Sequence, residues 1–187
     1  MALRIIGGEF RSRQLKTPAG RNTRPTRAMV REAVFNMLQG HCLDARVLDL
    51  FSGSGAMGFE ALSRGAEFVV FCDAARDASE TIRGNAVLLN AMSRSLILAM
   101  DWRAALDCQA DAGRQFDLIF LDPPYEMRTD EVLQRIAGLN LLNMDGRIIL
   151  EHSSAIHPDI PEMFSLFRYR AYGEAALSIL VKGDEEA

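Results

Sequence analysis

From Asp44 onward the chain alternates short apolar runs with stretches of helical periodicity, and this alternation restricts the fold more than any other feature. The runs are RVLDLF (46–51), EFVVFCD (67–73), SLILAM (95–100), FDLIFL (116–121) and GRIILEHS (146–153). Each has the length of a strand and is too apolar to leave one face in water. Between them, SGSGAMGFEALSRGA turns through glycines into a helix ending near Gly65, and further helices are expected from about Ala75 to Ala91, over DWRAALDCQA, and from about Thr129 to Leu139. Such alternation predicts an α/β fold, a mostly parallel sheet with helices on both faces. The end differs: SLFRYRAYG and AALSILVKG are separated only by a tight turn near Gly173-Glu174, which predicts an antiparallel hairpin and a total of seven strands.

The first 40 residues follow another pattern. LRIIGGEFRSRQLKTP reads as a β-hairpin or loose ribbon around Gly7-Gly8, and RNTRPT breaks it. Met29, Val30, Ala33, Val34, Met37 and Leu38 then share one helical face, with Thr26 as N-cap and Gly40 as stop. The natural division is therefore 1–40, a basic hairpin and helix, and 41–187, the α/β domain. Net charge is −4, yet residues 1–31 hold eight cations (Arg4, Arg11, Arg13, Lys16, Arg21, Arg24, Arg27, Arg31) against Glu9, so this segment is +7 and the remainder −11. A segregated basic arm can bind a polyanion although the body is acidic; it can also be a solvated face without a partner. Cys42, Cys72 and Cys108 form no CxxC pair and accompany no histidine cluster, so neither a zinc site nor a disulfide framework is expected. With no apolar leader and no long apolar run, a cytoplasmic protein in a reducing compartment is expected.

Ligands of such sheets bind outside the carboxyl ends of the strands, where strand order reverses. The first strand ends in DLFSGSGAMG, where Gly53, Gly55 and Gly58 permit a tight turn and let a ligand approach backbone at a helix N-terminus. This spacing fits a dinucleotide site equally well. Asp73 ends the second strand, placed to accept from two ribose hydroxyls or simply to cap the next helix. Asp101-Trp102 follows the third, placed to meet an adenine edge or face, or to serve as a helix cap with a half-buried indole.

The fourth strand runs into Asp122-Pro123-Pro124-Tyr125. The two prolines force the chain out of the sheet in a stiff turn. Held there are the Asp122 carboxylate, a Pro123 carbonyl that faces no N–H from Pro124, and an aromatic ring. Two acceptors beside a ring suit a planar group bearing an NH2; an ordinary strand-ending turn uses the same residue types. A nicotinamide enzyme ordinarily needs a proton relay, but no lysine or histidine lies between Asp44 and His152. Methyl transfer from S-adenosylmethionine (AdoMet) to a base amine accounts for these features more economically.

The motifs RIIGGEFRSRQLKTP, TRPTRAMVREAVFNML, VLDLFSGSGAMGFEALSRGA and DLIFLDPPY resemble, in order, those of the RsmD-like family, Rossmann-type AdoMet enzymes that methylate guanine N2 in 16S ribosomal RNA. The N-terminal block is the most specific of them; the DPPY box is shared with DNA amino-methyltransferases. The resemblance implies cofactor contacts from Asp49, Phe51, Gly53, Gly55, Asp73, Asp101 and Trp102. It implies catalytic roles for Asp122, Pro123, Pro124 and Tyr125, and substrate contacts from Arg11, Arg13, Arg24, Thr26 and Arg27. Asp73 departs from the family, where glutamate is more usual. A monomer acting on 16S rRNA or the small ribosomal subunit, with no metal and no membrane attachment, is the expectation. The rivals are a DNA adenine or cytosine amino-methyltransferase, for which the chain has little room for a target-recognition insert, and a non-catalytic RNA-binding assembly factor.

Overall fold

The computed structural model describes residues 3–18, 25–124 and 126–183, with residues 25–27 described by their backbone alone. Its helices are α1 (Pro25–Met37), α2 (Ala56–Ser63), α3 (Arg76–Leu88), α4 (Trp102–Asp111) and α5 (Thr129–Gly138). Its strands are β1 (Arg46–Asp49), β2 (Phe68–Cys72), β3 (Ser95–Leu98), β4 (Phe116–Leu121), β5 (Leu142–Ser153), β6 (Phe164–Tyr172) and β7 (Ala175–Lys182). They form one sheet in the order β3-β2-β1-β4-β5-β7-β6. β1 to β5 pair in parallel, and β7 pairs antiparallel with both β5 and β6. The α/β reading, the seven strands and the terminal hairpin are borne out.

The central strands lack polar alternation because both of their faces are covered. Val47, Val69, Phe71, Leu118, Phe120 and Ile149 pack in one layer with α1, α2, α3 and the N-terminal ribbon. Leu48, Val70, Ile119, Leu121, Ile148 and Leu150 pack in the other, against α4 and the Val132, Leu133, Ile136 and Ala137 stripe of α5. Strand order reverses between β1 and β4, so the carboxyl ends of β1, β2 and β4 diverge there and open a crevice. Among the described residues no helix is long and apolar enough to cross a membrane.

Two local expectations change, and one left open between two forms is settled. β5 begins at Leu142 rather than Gly146, because the chain pairs once at Phe116↔Leu142, bulges outward through Asn143, Met144 and Asp145, and pairs again from Leu118↔Arg147. A side chain at Gly146 would meet Leu142 and the Asn143 carbonyl within 3 Å, so the bulge closes only on glycine. α1 starts at Pro25, placing Thr26 inside the first turn instead of at the cap; proline suits the first helical position, where its missing N–H has no intrahelical role. The N-terminal segment is the looser of the two forms considered, a ribbon with one antiparallel bridge, Arg4↔Gln14.

Side chains of α2 and α3 do for that ribbon what a ladder does in a hairpin. Glu60, fully buried on α2, accepts from the Ile6 N–H at 2.8 Å and the Gly7 N–H at 2.9 Å. It also pairs with Arg64 at 2.9 Å and lies 4.0 Å from the buried Arg31 of α1. Ser63 accepts from the Phe10 N–H and donates to the Gly7 carbonyl. Gly8, at φ +75, lies so close to the Ser63 backbone that a β-carbon there would stand 1.7 Å from its carbonyl oxygen. Farther on, Asn85 of α3 exchanges hydrogen bonds with the Lys16 backbone and donates to the Ser54 carbonyl in the glycine loop. Ile5, Phe10 and Leu15 are thereby seated in the core.

Burial pushes the Arg31 guanidinium pKa below its usual range, and Glu60 opposes that shift. Removing one partner of a buried ion pair typically costs about 3–5 kcal/mol. Glu60→Ala is therefore expected to lose stability on that scale in urea unfolding and to deprotect the Ile6 and Gly7 amides to hydrogen exchange. A wild-type midpoint would show that Glu60 does not hold the ribbon.

Candidate active site

β1 carries its last residue, Asp49, into the crevice as a buried side chain whose Oδ2 accepts from the Gly58 N–H at 3.0 Å. That bond pulls the first turn of α2 over the strand end. Between them Ser52 links β1 to β2: its hydroxyl donates to the Asp49 carbonyl at 2.5 Å and accepts from the Cys72 N–H at 2.9 Å. The three glycines divide the work. Gly53, at φ +54, gives its N–H to Asp73 Oδ2 at 2.8 Å. Gly55, at φ +77, stands at the N-cap of α2. Gly58 lies so close to β2 that a β-carbon would stand 2.3 Å from the Phe71 ring.

Asp73 also accepts from the Ala75 N–H at 2.9 Å. It therefore braces the glycine loop and the residue that precedes α3 together, but it is not the cap of that helix, whose N-cap position is Ala75 with no side-chain cap bond. Asp101 is the N-cap of α4, accepting from the Arg103 N–H at 2.9 Å. Trp102 is buried rather than half-buried, 4% exposed, with the Arg103 guanidinium 4.2 Å from its ring centroid. At the end of β4, Asp122, Pro123 and Pro124 leave the sheet, and the Pro124 carbonyl accepts from the Met127 N–H at 2.8 Å, closing the turn. Tyr125 lies outside the described residues.

These ends meet around one cavity of about 1040 Å³. Asp49, Phe51, Gly53, Asp73, Asp101, Trp102, Asp122, Pro123 and Pro124 all line it, and of the described residues anticipated for the cofactor only Gly55 stands back as a helix cap. The N-terminal segment supplies another wall through Arg4, Ile5, Thr17 and Arg31, and β5 and β7 another through Ile149, Glu151 and Leu177. Of the anticipated substrate residues, Arg11 and Arg13 are exposed on the ribbon away from the cavity, with Arg13 donating to the Leu88 carbonyl at 2.6 Å. Arg24 lies outside the described residues, and Thr26 and Arg27 are placed by backbone alone in the first turn of α1. Arg4, Arg31 and Glu151 were not singled out from sequence. The basic-residue count contained the two arginines, but nothing local marked them as facing the crevice. Among the described residues no group of His, Cys, Asp or Glu is arranged to hold a metal ion.

Asp49 is pushed up to about 7, first by burial and also by the charges of Asp122 and Asp73, with the Gly58 N–H opposing them. In an unfolded chain an aspartate titrates near about 3.9. The folded protein holds this proton more tightly, so the contribution of Asp49 to stability falls as pH rises from about 4 towards about 7 and is level above that window. Asp49→Asn keeps the shape and an oxygen for the Gly58 N–H. Its stability relative to wild type is expected to improve as pH rises through the window and then stay constant, read from urea midpoints at several pH values. A pH-independent difference would contradict the shifted titration.

The family described as Conserved hypothetical protein 95 matches residues 3–181. Ribosomal RNA small subunit methyltransferase D of Escherichia coli (strain K12) is 33% identical over 176 residues, covering 93% of this chain and 87% of that protein. YlbH of Bacillus subtilis (strain 168) is 36% identical over 184 residues, covering 96% and 99%. The solved structure of yhhF from Escherichia coli superimposes with a TM-score of 0.85 at 28% identity, covering 97% of this chain and 98% of that one. The glycine loop, the DPP turn and the N-terminal block thus occur in a chain matched over nearly its whole length, and the protein belongs to the Conserved hypothetical protein 95 family, the RsmD family that its motifs resemble.

Proposed function

We propose that this protein is an AdoMet-dependent methyltransferase that modifies the exocyclic N2 of a guanine in small-subunit ribosomal RNA. One observation carries the reading: the glycine loop with Asp73 and the Asp122-Pro123-Pro124 turn face the same cavity from opposite sides of the strand-order reversal. The name of the Escherichia coli relative supports the substrate class.

The residues present fit AdoMet. The cavity is large enough for a nucleoside cofactor and a base. Its carboxylates, Asp49, Asp73, Asp101 and Asp122, suit a ligand that carries positive charge. Each Asp73 oxygen accepts one backbone N–H and keeps lone-pair capacity for a ribose hydroxyl. Phe51, Asp101 and Trp102 form the wall assigned to the adenine. When bound, AdoMet supplies a methyl group activated on a sulfonium.

The other wall handles the acceptor. Guanine N2 is a weak nucleophile because its lone pair is delocalised into the ring. The Asp122 carboxylate and the Pro123 carbonyl accept its two N–H bonds, which orients the amine and favours a pyramidal nitrogen, so orientation and electrostatics supply the rate. Tyr125 is assigned the stacking role for a base turned out of the RNA. Residues 1–40 are assigned to RNA, with Arg11, Arg13, Arg24, Thr26 and Arg27 on phosphates, and 41–187 to catalysis.

The deciding experiment is transfer of labelled methyl from AdoMet to small subunits, deproteinised rRNA and DNA, followed by mass mapping of the modified nucleotide. Asp122→Ala is expected to reduce transfer by ~10²-fold or more with AdoMet affinity retained. Asp73→Ala should weaken AdoMet binding by about 1.5–3 kcal/mol in calorimetry. Full turnover by the first variant, or a wild-type Kd for the second, refutes the respective assignment. Arg11→Glu with Arg13→Glu should raise KM for RNA and leave AdoMet binding intact; an unchanged KM would leave that part of the ribbon a solvated face.

A further inference from the structure

β6 is the outer strand of the sheet, and from Ser165 to Ala171 every residue on it is exposed. An edge strand of an antiparallel pair normally buries one face. This one instead leaves Leu166 49%, Phe167 51% and Tyr169 38% exposed. Its charges have one sign: Phe164–Tyr172 contains Arg168 and Arg170 and no acid. Register places the arginines. Glu151 of β5 pairs with Leu177 of β7, and Leu177 pairs with Arg170. Ile149 pairs with Ile179, and Ile179 with Arg168. Glu151, Leu177 and Ile149 line the catalytic cavity, and residues in register share a face. The arginines therefore continue the cavity wall outward, one strand spacing or about 5 Å beyond Leu177 and two beyond Ile149 and Glu151.

The register shift between Leu166 and Arg168 marks a bulge at Phe167. Two cations converge on its ring: the Arg147 guanidinium lies 4.8 Å and that of Arg168 5.7 Å from the centroid. Burial and then Arg168 lower the pKa of Arg147, as expected for cations gathered without a counter-ion. Among the described residues Arg147, Arg168 and Arg170 form no ion pair. An exposed aromatic ring among unpaired arginines, two of them in register with the wall of a cavity assigned to a base, matches single-stranded nucleic acid, whose phosphates need cations and whose bases stack.

We propose that the outer face of β6, with Arg168, Arg170 and Phe167, is a second RNA surface that takes the single-stranded nucleotides running on from the target base. Arg168 and Arg170 hold phosphates, Phe167 stacks one base, and Arg147 backs the ring. This inference rests on the RNA methyltransferase reading and extends it from the target nucleotide to its neighbours. It places the bound strand on the sheet face that also carries the N-terminal ribbon, at the β6 edge, so the ribbon and the edge strand both contribute to the grip on RNA.

The test uses the full chain and AdoMet with both small subunits and deproteinised small-subunit rRNA, the measurements being made on the one that accepts methyl. Arg168→Ala with Arg170→Ala is expected to retain AdoMet affinity and thermal midpoint, to raise KM for RNA at least tenfold, and to flatten the slope of log K against log salt by about 1.4, two phosphates at about 0.7 each. Phe167→Ala should weaken RNA binding by about five-fold to a hundred-fold with an unaltered slope. Arg46→Glu, at the opposite end of β1, is the control and should change neither. If wild type methylates the rRNA and the double variant matches it in KM and slope, the surface is not an RNA site. If the double variant instead dimerises in sedimentation, the arginines serve only to keep the open edge from pairing with a second copy, and the inference falls. Wild type that methylates neither small subunits nor deproteinised rRNA overturns the function reading first, and this inference with it.

Discussion

A single buried carboxylate, Glu60, sets the relation between the two parts of the chain. It sits in the first helix after the glycine loop, so whatever it binds is fixed relative to that loop. It binds two backbone N–H groups of the N-terminal ribbon and faces Arg31 of α1. Asn85 repeats the arrangement from α3, joining the Lys16 backbone to Ser54 of the loop itself. A segment with one antiparallel bridge among its described residues is thereby built into the core, and Arg4, Ile5 and Arg31 become a wall of the cavity. The basic segment is therefore not a tether beside the catalytic layer but a part of its enclosure.

The other constraint is the burial of both sheet faces. Strands that cannot show polar side chains along their length release them at their ends, and at the strand-order reversal those ends point into one space. Four aspartates gather there from β1 to β4. The fold also leaves one strand, β6, outside this burial, and β6 is the one that carries Phe167, Arg168 and Arg170. Aspartates gather at the strand ends and arginines lie on the outer rim, the order that the proposed cationic cofactor and polyanionic substrate require.

What could be read from sequence was local. Apolar runs marked the strands, the Gly53-Gly55-Gly58 spacing marked the loop, and two prolines after Asp122 marked a strand end, because backbone sterics decide each of these within a few residues. Helix and strand ends moved by a few positions, most at Leu142, where a bulge closing on Gly146 lengthens β5. The ribbon was less legible because its partners are far away in the chain: Glu60, Ser63 and Asn85 look like ordinary polar positions of α2 and α3. Glu151 and Arg31 were missed for the same reason, since only the packed fold turns them toward the crevice. Trp102 was placed correctly in sequence but not in depth, because α4 carries it into the core beneath Arg103.

The gathering of carboxylates follows from how parallel sheets end. Every crossover helix begins near the carboxyl edge with N–H groups that have no partner inside the helix. Asp49 takes one from Gly58, Asp101 one from Arg103, and Asp73 one from Ala75 at the approach to α3. Aspartates are thus favoured at these positions individually, while their mutual repulsion opposes them collectively. At Asp49 burial first, and then the charges of Asp122 and Asp73, push the carboxyl up to about 7. A cationic ligand in the cavity reverses that term by favouring the charged form of each carboxylate it approaches. The repulsion that the fold sustains is therefore recovered as affinity for positive charge, which makes the acid-lined crevice a consequence of helix starts and at the same time a selective one.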